Sequence, residues 1–66
     1  MDILLNGEPR TLAVSASVLQ LLQAEGLENR RVAVEVNGEI VPRSRHADWA
    51  LAAGDRVEIV HALGGG

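Results

Sequence analysis

Three consecutive glycines, Gly64, Gly65 and Gly66, follow "HAL" in the printed sequence. Glycine has no Cβ, so a run of it can be approached closely from every side and accepts positive φ. Such a segment is either slack or a thin thread able to carry a reactive group into a narrow site. The group it would carry is the carboxylate of Gly66, by itself a poor electrophile. Extended, Ala62 to Gly66 would reach about 17 Å, enough to place that carboxylate well beyond a folded body.

Other chemistry has less support in the residue types. The chain has no cysteine, hence no thiolate nucleophile, disulfide or Cys-based zinc site. His46 and His61 are isolated, and satisfied or solvated histidines are commoner than metal ligands, so neither is assigned a metal. Glu8, Glu35, Glu39 and Glu58 read as a solvated face, and Asp48 and Asp55 as turn and capping residues. No catalytic residue is assigned. The glycines are not a phosphate cradle, because no helix follows them.

At 66 residues, 47% hydrophobic and 23% charged, the chain is one small folded domain. No apolar run is long enough to span a bilayer and no secretory signal opens the chain, so a cytoplasmic location is expected. The formal net charge of −3, with scattered arginines, argues against nucleic acid and favours a basic protein surface as complement. All six basic residues are arginine, which leaves no lysine for isopeptide-linked chains.

The elements that must position the glycines follow from patterning. "DILLN" alternates as a half-buried strand with Ile3 and Leu5 on one face, and Asn6-Gly7 is a hairpin signal. "PRTLAV" is expected to return as a second strand, Leu12 and Val14 pointing the same way and Pro9 tolerated at a strand start or an edge. Ser17 with Gln20 forms a capping-box pattern ahead of Val18, Leu21 and Leu22, and Gly26 suits the helix C-terminus. Val32, Val34 and Val36 mark a third strand, Asn37-Gly38 a second tight turn and "EIV" a short fourth strand. A loop with one helical turn carries Trp49, expected as a lid over the helix end. "RVEIVHA" closes the sheet beside the first strand, with Val57 and Ile59 inward.

The expected fold class is therefore α+β, one mixed sheet packed on one main helix. The body is placed at residues 1–62, and 63–66 are expected to form a flexible tail. If Ile3, Leu5, Val57 and Ile59 face the helix, Leu4 and Val60 face solvent on adjacent strands. Ala62 and Leu63 then extend an apolar strip toward the tail, a candidate partner-docking surface.

The order "ILLNGE", "SVLQLL", "VAVEVNGEIVPR", a loop Trp, "GDRVEIV" and a Gly-Gly end spans the whole chain. It resembles the ubiquitin-like β-grasp proteins and, more narrowly, the ThiS sulfur carriers of thiamin biosynthesis. The resemblance implies a carrier that is not itself an enzyme and is a monomer when free. It implies that a ThiF-type, E1-like enzyme uses ATP to adenylate the Gly66 carboxylate. Sulfur then replaces AMP, and a ThiG-type thiazole synthase draws on the thiocarboxylate. Gly64 and Gly65 would thread into the partner, and the carrier itself binds no cofactor or metal. Gly64 stands where relatives often have a small or aliphatic residue. A carrier of molybdopterin synthesis and a ubiquitin-like protein modifier remain as alternatives.

Overall fold

The hydroxyl of Ser17 accepts a hydrogen bond from the Gln20 amide at 3.1 Å, and the Gln20 side chain accepts one from the Ser17 amide at 2.8 Å. This reciprocal cap starts α1, Val18–Ala24, as the sequence pattern predicts. The two remaining amides of the first turn are also satisfied, Val18 donating to the Trp49 carbonyl at 3.0 Å and Leu19 to that of His46 at 2.8 Å. The loop that carries Trp49 thus completes the cap, and Trp49 packs half-buried against the core at the start of the helix. Gly26, at φ +74°, ends the helix in the left-handed conformation expected of it.

The computed structural model describes residues 1–61. Ala62 and the four residues after it lie outside the described residues. Around α1 lie β1, Asp2–Leu5; β2, Glu8–Thr11; β3, Val32–Val36; β4, Glu39–Val41; and β5, Arg56–His61, with a 3-10 turn at Arg43–Arg45. The sheet order is β2-β1-β5-β3-β4. The central pair β1 and β5 is parallel and the other pairs are antiparallel. Both Asn-Gly pairs form two-residue hairpin turns with positive φ throughout, 50° and 83° at Asn6-Gly7 and 53° and 86° at Asn37-Gly38. Those angles match the type I′ turn, whose twist fits the flanking strands.

Val18, Leu21 and Leu22 of the helix are buried with Ile3, Leu5, Val34, Val36, Val41, Val57 and Ile59 of the sheet and Leu51 of the loop. A seven-residue helix has little stability of its own, so this apolar contact holds it in place. His46 is buried too, its Nε2–H donating to the Val41 carbonyl at 3.1 Å, which makes it a satisfied structural residue.

One expectation fails. β2 ends at Thr11, short of the strand expected through Val14, and Val14, expected on the same side as Leu12, is 83% exposed. The register explains why: Thr11 pairs with Asp2, and Leu12 bonds back to the Met1 carbonyl, so β1 offers no partner beyond that point. The chain turns instead through Ser15 at φ 65°, while Leu12 remains half-buried against the core.

Candidate functional site: the last strand and the outer sheet face

β5 leads into the glycine segment, and its anchoring sets where that segment begins. On one side it pairs with β3 along its length, from Val36 opposite Val57 to Val32 opposite His61. On the other, Leu4 donates to the Asp55 carbonyl at 3.0 Å and Asn6 to the Val57 carbonyl at 2.9 Å. There β1 turns away, but the Asn6 side chain continues the pairing. Its Oδ1 accepts from the Ile59 amide at 2.9 Å and its Nδ2 donates to the Ile59 carbonyl at 3.2 Å.

The start of β5 is held the same way. Asn37 Oδ1 accepts from the Arg56 amide at 2.9 Å and Nδ2 donates to Asp55 Oδ1 at 3.0 Å. Asp55 Oδ2 accepts from the Ala52 amide at 2.8 Å, which fulfils its expected turn role. Local sequence marked both asparagines as turn residues only; their grip on β5 depends on which strand lies alongside, which local sequence does not specify.

Leu4 and Val60 lie on the sheet face away from the helix, 40% and 60% exposed. They are not neighbours on it. Leu4 is opposite Arg56 and Val60 is opposite Ala33, so four residues of β5, about 13 Å, separate their positions, with Glu58 between. Ile40, 58% exposed and opposite Glu35, is a third aliphatic on this face, and sequence reading assigned it no role. A cleft of about 270 Å³ opens beside Leu4, Arg56 and Glu58, bounded by Gly7 and Gly38.

Ala62, Leu63, Gly64, Gly65 and Gly66 lie outside the described residues. His46 and His61 are not brought together: the first is buried at the C-terminal cap of the 3-10 turn and the second is exposed at the end of β5. Among the described residues no group of three or more His, Asp or Glu side chains could hold a metal, and no helix is long and apolar enough to cross a membrane. A second cleft of about 270 Å³ lies between the C-terminal end of the helix and the first hairpin. Arg10 spans it, 3.2 Å from Glu8 and 3.4 Å from Glu25.

A mixed sheet with a parallel central pair, one helix across one face and a last strand leading into glycines defines a ubiquitin-like β-grasp domain. Comparison with known proteins narrows the class. The ThiS family model matches residues 3–66, and the chain belongs to that family. It is 36% identical, with a TM-score of 0.86 and full coverage of both chains, to the crystal structure of the thiamine biosynthesis protein ThiS from Geobacter metallireducens. It is 40% identical over 52 residues, 79% of each chain, to the sulfur carrier protein ThiS of Bacillus subtilis. A thiazole synthase from Paramagnetospirillum magneticum is 47% identical over all of this chain, which spans only 20% of that protein.

Proposed function

We propose that this protein is a sulfur carrier of thiamin biosynthesis whose working group is the Gly66 carboxylate. The observation that carries the reading is that the family match continues to residue 66, through all three glycines. A ThiF-type enzyme attacks ATP with that carboxylate, releasing pyrophosphate and leaving an acyl-adenylate. A sulfur nucleophile then displaces AMP and leaves a thiocarboxylate. The carrier is not an enzyme: it supplies no acid or base to either step, and ATP is bound by its partner.

What the chain does supply is reach and placement. Gly64 and Gly65 enter a channel that excludes water, where a side chain would collide. Ordering the four tail residues 63–66 would cost roughly 1–2 kcal/mol each, so contacts made by the body must offset several kcal/mol. Leu4 and Val60, with Ala62 and Leu63 beyond them, provide such contacts.

A ThiG-type thiazole synthase is the acceptor of the sulfur. The similarity to a much longer thiazole synthase supports this, because a carrier-like segment within that polypeptide would be held at high effective concentration by its own chain. The reading places the protein in the cytoplasm. Its test is incubation with a ThiF-type enzyme, ATP and a sulfide source, followed by intact-mass analysis. A mass gain equal to sulfur replacing oxygen, confined to the residue at Gly66, is the expected result; an unmodified chain would overturn it.

A further inference from the structure

The register of β3 and β5 puts Glu35 directly opposite Glu58, both on the sheet face away from the helix. Two like charges in that relation repel each other and weaken the pair. Among the described residues nothing relieves the repulsion. Among the described residues neither carboxylate has an ion-pair or hydrogen-bond partner, and Arg56, the neighbour of Glu58 on the same face, is not within ion-pair distance of it. The arrangement is unfavourable for the free molecule and suited to a complex in which a cation enters between them.

The surroundings point to the kind of partner. Leu4, Ile40 and Val60 are three of the four large hydrophobic residues exposed among the described residues, and all three lie on this face. Ile40 stands across from Glu35 on β4, Val60 lies two residues beyond Glu58 on β5, and Leu4 stands across from Arg56 on β1. Aliphatic side chains thus frame the carboxylate pair on three sides, and the cleft beside Leu4 and Glu58 gives the surface depth. Apolar framing of a charge pair excludes water from it once covered, and a desolvated pair interacts more strongly than an open one.

We propose that the outer sheet face docks the adenylating partner through one arginine or lysine of that enzyme, received between Glu35 and Glu58 and enclosed by Leu4, Ile40 and Val60. This rests on the carrier reading and adds the chemistry by which the partner is recognised. Of the two cations an arginine suits the site better, because its planar guanidinium reaches two carboxylates at once. The acidic pair selects a basic partner and speeds encounter, and the aliphatic frame supplies the contact area.

The test is ATP–pyrophosphate exchange by a ThiF-type enzyme with the full chain as substrate, using Glu35→Gln, Glu58→Gln, the double variant and Glu58→Arg. The double variant is expected to raise KM for the carrier about tenfold with kcat little changed and a flatter dependence on salt. Glu58→Arg should be worse than Glu58→Gln. The glutamine variants should melt no lower than the native chain, since repulsion has been removed, which separates lost docking from lost folding. Wild-type KM and salt dependence in the double variant would overturn the docking proposal and leave the carrier reading standing. A native chain that supports no exchange would instead remove the carrier reading, and this proposal with it.

Discussion

The side-chain amide of Asn6 holds both backbone groups of Ile59, donating to its carbonyl at 3.2 Å and accepting from its amide at 2.9 Å across 53 residues of sequence. One side chain takes the place of a strand residue where β1 has turned away, two residues before the end of β5. The same asparagine adopts φ 50° in the turn, so a single residue shapes the hairpin and fixes the strand that leads into the glycines.

Asn6→Gly keeps the turn geometry and removes the clamp, leaving the partly buried Ile59 groups without protein partners. Urea unfolding should show a loss of about 1–3 kcal/mol. Asn6→Asp keeps the acceptor, loses the donor and sets a carboxylate against the Ile59 carbonyl, so its loss should be no smaller. A change within about 0.3 kcal/mol for both would mean the clamp contributes nothing.

Leu21 is fully buried and Leu22 is 2% exposed, and they join the helix to the sheet. Leu21→Ala or Leu22→Ala should each destabilise by about 2–5 kcal/mol, a large share of the total for so small a domain. Denaturant melts that shift by less than half a kcal/mol would contradict the packing described.

On the opposite face the expectation reverses. Leu4→Asp and Val60→Asp should leave the melting curve nearly unchanged, because both side chains are exposed in the free molecule. Each should raise KM for the carrier in the adenylation assay. Their positions are about 13 Å apart, so the double variant should approach additivity in free energy. Turnover of both variants at the native rate would exclude this face from docking.

The helix was legible because its signals are local: Ser17 and Gln20 lie three residues apart, and Gly26 stands just past the last turn. The place of β5 beside β1 followed from the inward residues of both strands. Val14 misled because alternation continues through "TLAV", whereas the length of β2 is fixed by where β1 begins. For the same reason the juxtaposition of Glu35 and Glu58 could not be read in advance: it depends on the register of two strands far apart in sequence. At the site, the aliphatic character of Leu4 and Val60 was legible, but the spacing between them and the contribution of Ile40 were set by sheet order.

The central claim is that sulfur is carried on the carboxylate of Gly66. Three chains should be compared after incubation with a ThiF-type enzyme, ATP and sulfide: one ending at Gly66, one ending at Gly65, and one extended past Gly66. Truncation withdraws the carboxylate by about 3.5 Å, a misplacement expected to cost orders of magnitude in rate. Extension leaves no carboxylate at that position. Intact mass should therefore show the oxygen-to-sulfur gain in the first chain, little in the second and none in the third. The same gain in the extended chain would contradict the account.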